Sequence, residues 1–318
     1  MSGYAANLAD IYQAAARIAP YSHKTPVMTC ATLDRLSGKK LYFKCELFQK
    51  TGSFKFRGAC NAVMQLPEDV ARRGVVTHSS GNHAQALALA AKERGIRAYV
   101  VMPTTASPVK ANAVREYGGE VIECAPTLKA RETVAQTVLD ETKGTLIPPY
   151  DDPRVIAGQG TIALELLESL PELDAIVSPI GGGGLVSGVA LAAKEAKPTL
   201  KVFGIEPKGA DDAARSKSTG RLIPQTSPNT IADGLLTSLG EFTWPVVRDL
   251  VAEILTVSDE EIVSAMRLLW ERAKLLVEPS GAVSLAGVLS ERFRSFDSLR
   301  HVAVILSGGN VNLATLPF

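Results

Sequence analysis

Hydrophobic positions along the chain alternate between helical spacing and short strand-like runs. Leu8, Ile11 and Ile18 recur at helical spacing, which predicts an N-terminal helix that Pro20 ends. The run over residues 39–47 (KKLYFKCEL) predicts a strand. We therefore expect helices and strands to follow one another from the start of the chain.

A second helical pattern follows the Thr51-Gly52 turn and ends at Pro67. Lys55 lies in its first turn. The apolar residues that trace its inner face are Phe56, Ala59, Cys60, Val63 and Leu66. This pattern predicts a helix that presents one lysine at its beginning.

A regular alternation then occupies most of the remaining chain. Apolar runs predict strands over residues 74–78, 97–102, 120–123, 145–148, 175–179, 201–206 and 301–306. Helical patterns cover residues 82–94, 108–117, 128–143, 155–170, 185–196 and 260–274. Ser258 with Glu261 predicts a capping box at the last of these helices. Strands separated by helices indicate an α/β fold with open, mainly parallel sheets.

Composition narrows the function classes. The chain has 318 residues, 46% of them hydrophobic, and a formal net charge of +1, so it can bury a large core in about two domains. The balanced charge gives no reason to expect nucleic acid as a partner. The four cysteines form no C-x-x-C pair, which favours reduced thiols and a cytoplasmic location. The first 20 residues hold no continuous apolar run, so we expect no signal peptide and no membrane partner.

The chemistry concentrates where predicted strands end. Gly181, Gly182, Gly183 and Gly184 follow the apolar strand over residues 175–179 and precede a predicted helix. Four glycines let backbone amides turn toward an anion, and the helix adds its positive N-terminal end. The simpler interpretation, a tight turn, needs only one or two glycines. This loop predicts a phosphate site.

The same segment superficially resembles a dinucleotide site, because the next strand ends in Glu206. The G-x-G-x-x-G spacing fails, since the sixth residue from Gly181 is Val186 and from Gly182 is Ser187. An NAD-dependent Rossmann oxidoreductase therefore stays an alternative from another enzyme class. A protein that binds a small ligand without catalysis is a third possibility.

Two further turns follow predicted strands. Ser307, Gly308, Gly309 and Asn310 come directly after the strand over residues 301–306, and alone they would be read as a C-terminal turn. The second turn opens a helix, where free amides could hold a substrate carboxylate, and consists of Ser79, Ser80, Gly81, Asn82 and His83. The coincidence of these turns with the lysine at a helix start favours a catalytic site.

Four motifs carry a resemblance to a known family. They are T-G-S-F-K-F-R-G-A, S-S-G-N-H-A-Q-A, G-G-G-G-L-V-S-G and L-S-G-G-N, in this order. The chain resembles the fold-type II pyridoxal-phosphate enzymes, which are tryptophan synthase β-like, and among them the serine racemase and serine/threonine dehydratase family. Three segments, C-E-L-F-Q-K-T-G-S-F-K, A-G-Q-G-T-I-A-L-E and T-I-A-D-G, point to the eukaryotic-type serine racemase branch. The resemblance covers nearly the whole chain.

The resemblance implies a cofactor, pyridoxal 5'-phosphate, and a role for several residues. Lys55 would be bound to the cofactor aldehyde, since among Lys44, Lys50 and Lys55 only the last fits the S-F-K-x-R-G position. The other implied cofactor contacts are Phe54 beside the ring, Asn82 at the ring hydroxyl, Ser307 at the pyridine nitrogen, and Gly181, Gly182, Gly183 and Gly184 around the phosphate. The turn of Ser79, Ser80, Gly81, Asn82 and His83 would bind substrate, although a structural role is the plainer interpretation of His83.

The resemblance also implies a reaction. Lys55 would act as base on one face of the substrate, and Ser80 as acid or base on the other. The expected activity is serine racemisation, with β-elimination of serine to pyruvate and ammonia. Several dehydratase relatives have alanine where this chain has Ser80, so a dehydratase of serine, threonine or 3-hydroxyaspartate is the nearest alternative. A serine at position 307 is a weak partner for the pyridine nitrogen, which disfavours transamination.

The remaining expectations concern a metal site, Arg131, the domain division and the oligomeric state. Glu206, Asp212 and the carbonyl of Ala210 read by spacing alone as a solvated acidic turn, but E-P-x-x-A-D-D matches the family's site for a divalent cation such as Mg²⁺, Ca²⁺ or Mn²⁺. Arg131 matches a position near the active-site entrance and would contact substrate, with a solvated helix arginine as the plainer interpretation. We expect a large cofactor domain over residues 1–66 and 152–318, a smaller inserted domain over 67–151, and a homodimer.

Overall fold

The computed structural model describes residues 3–106 and 108–316. In that part, the strands are β1 (Val27–Met28), β2 (Lys40–Cys45), β3 (Val75–His78), β4 (Ala98–Pro103), β5 (Glu120–Cys124), β6 (Thr145–Leu146), β7 (Ala175–Pro179), β8 (Lys201–Pro207), β9 (Glu253–Val257) and β10 (His301–Leu306). The α-helices are α1 (Leu8–Ile18), α2 (Ala31–Ser37), α3 (Lys55–Met64), α4 (Glu68–Ala71), α5 (Asn82–Arg94), α6 (Pro108–Glu116), α7 (Leu128–Thr142), α8 (Pro153–Ser169), α9 (Gly184–Ala196), α10 (Asp212–Thr219), α11 (Thr243–Leu250), α12 (Asp259–Leu268), α13 (Pro279–Leu289) and α14 (Glu291–Arg294).

The strands form two sheets. The larger sheet has the order β1-β2-β10-β7-β8-β9, and every neighbouring pair except β1–β2 is parallel. The smaller sheet has the order β5-β4-β3-β6 and is parallel throughout. Helices cover both sheets because parallel strands need crossover connections. The α/β class expected from the alternating pattern is confirmed.

The register of the larger sheet brings three connecting segments together. Leu306 at the end of β10 pairs with Cys45 at the end of β2, and Val304 pairs with Val177 near the end of β7. The chain segments that leave these strands therefore start side by side at the carboxyl edge of the sheet. They are the segment leading to α3, the glycine loop before α9, and the turn after β10.

Helix α3 lies between the two sheets. Its apolar side chains share a buried cluster with residues of α5, β3 and β4, and that cluster also reaches α1 and α8. On the larger sheet, one buried cluster includes residues of α1, α8, α9 and α11, and the other includes residues of α2, α12 and α13. The start of α3 is thus enclosed on both sides. The domain boundaries at residues 66 and 152 stay a prediction.

Most predicted elements agree with the structure, with short shifts at their ends. The predicted strand over residues 39–47 ends earlier, at Cys45, because the chain turns into a 3₁₀ segment at Glu46–Phe48. The last predicted helix ends as an α-helix at Leu268 and continues as a π-helical segment at Leu269–Ala273. The capping box of Ser258 and Glu261 is confirmed. In the residues that the structure describes, no helix is both long and apolar enough to cross a membrane.

Candidate functional site

Lys55 is the first residue of α3, and its side chain is half-buried. Its Nζ donates a hydrogen bond to the carbonyl oxygen of Pro149 at 2.7 Å and lies 4.9 Å from the centroid of the Phe54 ring. Burial lowers the pKa of the Lys55 amine to about 8, because a cation loses hydration without a carboxylate to replace it. A substantial neutral fraction near physiological pH makes this amine able to act as a nucleophile or base.

The two rival lysines have different surroundings. The Nζ of Lys44 is buried and lies 2.6 Å from a carboxylate oxygen of Glu165. The Nζ of Lys50 lies 3.2 Å from Glu93 at the surface. Each of these amines is held by a carboxylate, whereas the hydrogen bond of Lys55 goes to a neutral carbonyl.

The glycine loop has the geometry of an anion cradle. Gly183 adopts a φ of +84°, which favours glycine, and it caps α9. Among the described residues, the backbone amides of Gly181, Gly182, Gly183 and Gly184 have no protein acceptor. These amides stand at the positive end of a helix, which is a ready anion site.

The ring of Tyr150 closes over the glycine loop. A Cβ at Gly182 would lie 2.4 Å from carbon atoms of that ring, so no larger residue fits there. Tyr150 directly follows Pro149, whose carbonyl accepts the hydrogen bond from Lys55. Pro149 contacts Lys55 and the next residue, Tyr150, contacts the glycine loop. The segment after β6 thus connects Lys55 with the glycine loop.

The turn before α5 reaches the same region through Asn82. Its Nδ2 donates to Oε1 of Glu278 at 2.7 Å, and its Oδ1 accepts from Nδ2 of Asn310 at 2.8 Å. Ser79 Oγ accepts a 3.4 Å hydrogen bond from the amide of Gly81. The hydroxyl of Ser80 has no protein partner within the described residues, and its side chain is half-buried. Ser80 therefore has a hydroxyl free to meet a ligand.

The turn after β10 joins the start of α3. The amide of Phe54 donates to the carbonyl of Ser307 at 3.0 Å, and the amide of Gly309 donates to the carbonyl of Gly52 at 2.9 Å. Ser307 is buried, with its Oγ 3.4 Å from the carbonyl of Ser280. These contacts bring Phe54, Lys55, Asn82 and Ser307 together with the glycine loop.

His83 is buried beside this region and is neutral. Burial lowers its pKa to about 3, and the charge of Lys55 acts in the same direction. Its Nε2 lies 2.9 Å from the carbonyl of Ile147, so that nitrogen carries the proton, since a carbonyl only accepts. Nδ1 is buried without a partner in the part of the chain described. This geometry fits a structural histidine.

Glu278 is a site residue that sequence reasoning missed. It is buried, and burial raises the pKa of its carboxyl to about 7, with the hydrogen bond from Asn82 opposing the shift. A Cβ at Gly308 would lie 2.5 Å from its Oε1. Glu278 immediately precedes Pro279, the first residue of α13, and a proline at this position is a signal for a helix start that could have drawn attention to it.

The acidic residues near α10 form a separate group. Both carboxylate oxygens of Glu206 accept amide hydrogens, from Ala213 at 3.1 Å and Ala214 at 2.8 Å. Asp212 Oδ2 accepts from the amide of Leu239 at 2.9 Å, while Oδ1 is buried without a partner among the described residues. Backbone amides at the start of α10 therefore hold the buried Glu206 carboxylate in place.

Burial raises the pKa of Glu206 well above its ordinary range and that of Asp212 to about 6. An unpartnered buried carboxylate oxygen is a fit for a hard cation. No group of three or more His, Cys, Asp or Glu residues with metal-binding geometry occurs in the described ranges. A cation here would need the carbonyl of Ala210, which is also buried, and water as further ligands.

Arg131 lies on α7. Burial lowers the pKa of His78, and the charge of Arg131 adds to this effect, so the two side chains are near one another. His78 precedes Ser79, so Arg131 lies near the turn before α5. Its Nε is buried without a partner in the described chain.

Comparison with known proteins gives a consistent result. The profile of the family described as "Pyridoxal-phosphate dependent enzyme" matches residues 18–308. The chain is 56% identical over 316 residues to a serine racemase of Arabidopsis thaliana, covering 98% of this chain and 96% of the relative. The solved structure of maize serine racemase superposes with a TM-score of 0.97 at 52% identity, covering 98% of this chain and 96% of that one.

The solved structure of a T.th. threonine deaminase is also similar, with a TM-score of 0.91 at 47% identity, covering 97% of this chain and 100% of that one. The family profile spans far more than half of the chain, and it includes Lys55, the glycine loop and Ser307. The chain therefore belongs to the pyridoxal-phosphate dependent enzymes.

Proposed function

We propose that this protein is a serine racemase that interconverts L- and D-serine and also eliminates water from serine to give aminoacrylate, which water then hydrolyses to pyruvate and ammonia. The similarity to serine racemases over 98% of the chain carries this proposal. The lysine with a lowered pKa beside an anion cradle supports it. Both features are what a pyridoxal-phosphate enzyme requires.

The residues around Lys55 fit the cofactor. Lys55 would hold the cofactor aldehyde, and Gly181, Gly182, Gly183 and Gly184 its phosphate. Phe54 would pack on the ring, Asn82 would bind the ring hydroxyl, and Ser307 would meet the pyridine nitrogen. The backbone amides of these glycines, which have no protein acceptor among the described residues, support the phosphate assignment.

When bound, pyridoxal phosphate supplies an electron-accepting ring that makes the Cα–H bond of an amino acid acidic. Lys55 in its neutral form takes or returns the Cα proton on one face. Pro149 orients the Lys55 amine by accepting one of its hydrogens at 2.7 Å. Ser80, with a free hydroxyl, gives or takes the proton on the opposite face. Elimination competes when the β-hydroxyl leaves before a proton returns.

The decisive experiment incubates the purified holoenzyme with L-serine and measures both D-serine and pyruvate. We expect both products. Ser80→Ala should abolish D-serine formation while retaining dehydration of L-serine, because only the second proton transfer is lost. Retained dehydration is the internal control for folding and cofactor binding. Pyruvate without D-serine in the unmodified protein would refute the racemase proposal.

A second candidate function is a dehydratase of serine, threonine or 3-hydroxyaspartate with little racemase activity. The similarity to a threonine deaminase at 47% identity favours it as the alternative. The dehydratase would use the same residues, but it would not need Ser80. Pyruvate with little D-serine from the unmodified protein, and an equal pyruvate yield from Ser80→Ala, would favour this candidate.

We also propose a divalent cation, such as Mg²⁺, Ca²⁺ or Mn²⁺, held by Glu206, Asp212 and the carbonyl of Ala210. The unpartnered Oδ1 of Asp212 supports this proposal. Adding Mg²⁺ to chelator-treated protein should raise the thermal midpoint, and Asp212→Asn should remove most of that increase. Chelation that changes neither activity nor thermal stability would refute the site.

We propose further properties, of which the cytoplasmic location rests on the cysteine pattern and the homodimer on the resemblance. They are a homodimer in the cytoplasm, a large cofactor domain over residues 1–66 and 152–318, and a smaller domain over 67–151 that closes over substrate. The turn of Ser79, Gly81 and Asn82 would bind the substrate carboxylate. Arg131 would meet substrate at the entrance, and His83 would support the turn from below. Light scattering of the holoenzyme tests the homodimer.

A further inference from the structure

Arg57 carries the most extensively bonded buried charge near the cofactor lysine. Its guanidinium is fully buried and binds Glu46 with two hydrogen bonds, Nε to Oε2 at 2.8 Å and Nη2 to Oε1 at 2.9 Å. It binds Glu165 with two more, Nη1 to Oε1 at 2.6 Å and Nη2 to Oε2 at 2.9 Å. Nη1 also donates to Thr161 Oγ1 at 3.1 Å. Two carboxylates thus hold this side chain in one planar orientation.

Lys44 completes a charge-balanced group. Its Nζ lies 2.6 Å from Oε2 of Glu165 and 2.7 Å from the carbonyl of Thr25. We call the four residues Glu46, Arg57, Glu165 and Lys44 the buried ion cluster. The cluster joins β2, the segment after it, the start of α3 and the middle of α8, and its two positive charges match its two negative charges.

The cluster fixes the first turn of α3 from the side opposite the site. Arg57 stands two residues after Lys55. The amide of the next residue, Gly58, donates to Oε1 of Gln159 on α8 at 3.1 Å. A Cβ on Gly158 would lie 2.6 Å from the Cα of Gly58, so the backbones of α3 and α8 are in direct contact there. Contacts on this scale leave the helix start little freedom to shift.

We propose that Arg57 is a positioning residue for Lys55, which acts by locking the first turn of α3 so that the Lys55 amine stands at the reacting atoms. This inference rests on the proposed role of Lys55 as the cofactor lysine. Lys55 is tethered at its amine by the single hydrogen bond to Pro149. The place of its Cα is therefore set by the backbone turn that Arg57 anchors. A misplacement of about 1 Å can cost a reaction about a hundredfold in rate.

The test compares two substitutions within the same cluster. Arg57→Lys keeps the positive charge but loses the two-pronged contacts to Glu46 and Glu165. Lys44→Met removes a partner of Glu165 from β2 but leaves the four hydrogen bonds from Arg57 to Glu46 and Glu165 in place. Both variants disturb the cluster, but only the first acts on α3. Both are studied as holoenzymes beside the unmodified protein.

The readouts are the visible circular dichroism per bound cofactor in the absence of substrate, the thermal midpoint, and kcat and KM for serine. We expect Arg57→Lys to lower kcat by about tenfold or more with little change in KM, and to reduce the dichroism of the cofactor. Lys44→Met should lower the thermal midpoint while kcat and dichroism stay near the unmodified values.

Two results would overturn the proposal. One is an Arg57→Lys protein with unchanged kcat and dichroism. The other is a Lys44→Met protein that loses kcat and dichroism as strongly as Arg57→Lys, since the effect would then not be specific to the contacts of Arg57 with α3. If Arg57→Lys does not fold, Thr161→Val removes a single bond to Arg57 and should lower kcat by about threefold. An unchanged kcat and dichroism in Thr161→Val would then refute the role.

These outcomes are separate from the proposed function. The dichroism needs no substrate, so it tests the positioning role even if the protein acts on another amino acid. The cofactor lysine itself is tested by Lys55→Ala, which should lose the visible absorbance of the lysine-bound cofactor. If Lys55→Ala keeps that absorbance, the assignment of Lys55 is wrong independently of Arg57.

Discussion

Lys55 and Arg57 are two cationic residues in the first turn of one helix, and their surroundings differ in charge and in hydrogen bonding. Lys55 donates to one neutral carbonyl, and burial lowers the pKa of its amine to about 8. Arg57 meets two carboxylates. Burial alone would lower the pKa of its guanidinium, but Glu46 and Glu165 outweigh it and raise that pKa. One helix start therefore holds a cation that can lose its proton and another that cannot.

Under the proposed roles, this difference separates the reactive amine of Lys55 from the charge of Arg57 that holds the backbone. A base must spend part of its time neutral, so its cationic form is left without a counter-charge. A group that fixes the backbone must keep its charge and its bonds, so it is paired and fully buried. Substitutions can remove the paired charge or the unpaired charge separately. Four predictions compare the two kinds of site in this way.

The largest effect on stability is expected when Arg57 loses a carboxylate. Glu46→Gln keeps the shape of the side chain but removes one negative charge from the buried ion cluster. We expect the free energy of unfolding to fall by about 3–5 kcal/mol, since an excess buried charge is left behind. Urea unfolding followed by far-ultraviolet circular dichroism measures the change.

The matched control is Glu93→Gln, which removes a carboxylate from a surface pair with Lys50. Its cost should stay below about 1 kcal/mol, because solvent screens that pair. If Glu46→Gln lowered the free energy of unfolding no more than Glu93→Gln does, the buried ion cluster would not hold the start of α3. Arg57 would then not differ from Lys55 by having a structural role.

A second prediction extends the contrast to a carboxyl group. Glu278 is buried and receives a hydrogen bond from Asn82, and burial raises the pKa of its carboxyl to about 7. Between the ordinary value of 4.5 and about 7, the folded state holds a proton that the unfolded state releases. Stability from this group is therefore full below pH 4.5 and is lost as pH rises to about 7.

Glu278→Gln should remove that pH dependence. In cofactor-free protein, the difference in unfolding free energy between the unmodified chain and Glu278→Gln should change by about 3 kcal/mol between pH 4.5 and pH 8, with the variant gaining at high pH. Urea unfolding at several pH values gives this difference. A difference independent of pH would mean that Glu278 is ionised in the folded protein, like a paired carboxylate.

The sequence predicts Lys55 and the glycine loop better than it predicts the partners that hold Arg57. Lys55 follows a turn and precedes a helical pattern, and the glycine loop follows an apolar strand, so local patterns predict both. The strands that end at Cys45, Pro179 and Leu306 also follow from short apolar runs. Parallel pairing of those strands then brings the segments after them to one edge of the sheet.

The partners of these residues could not be predicted in the same way. Glu46 and Glu165 are far apart in the sequence, and each reads as an ordinary charged residue beside an apolar run. Tyr150 and Glu278 lie between elements, where no period marks a residue as buried. Their environment depends on how α3, α8 and the segment around Tyr150 pack together. That packing is set by contacts between residues far apart in the sequence.

The third prediction concerns how much the buried amine of Lys55, which has no carboxylate partner, lowers the free energy of unfolding. Lys55→Met replaces the amine with an apolar chain of similar length, and it should abolish catalysis. In cofactor-free protein at pH 7, its free energy of unfolding should rise by about 1–2 kcal/mol, because the folded protein no longer holds a desolvated charge. Urea unfolding of both proteins without cofactor tests this.

The pH dependence has the opposite sign to that of Glu278. The pKa of Lys55 falls from 10.5 to about 8 on folding, so between those values the unfolded chain binds more protons. The stability of the unmodified chain relative to Lys55→Met should therefore rise from pH 8 to pH 10. A constant difference would mean that the amine keeps an ordinary pKa and that its burial does not prepare it for catalysis.

The smallest effect is expected at Lys50, the exposed lysine five residues before Lys55. Its amine lies 3.2 Å from Glu93, and both side chains are partly solvated. Lys50→Met should change the free energy of unfolding by less than about 1 kcal/mol, because an exposed pair gains little from its charges. It should leave kcat and the visible absorbance of the bound cofactor near their unmodified values. If Lys50→Met lost that absorbance with Lys55 intact, a surface amine would be holding the cofactor. The lack of a carboxylate partner at Lys55 would then not explain which lysine reacts.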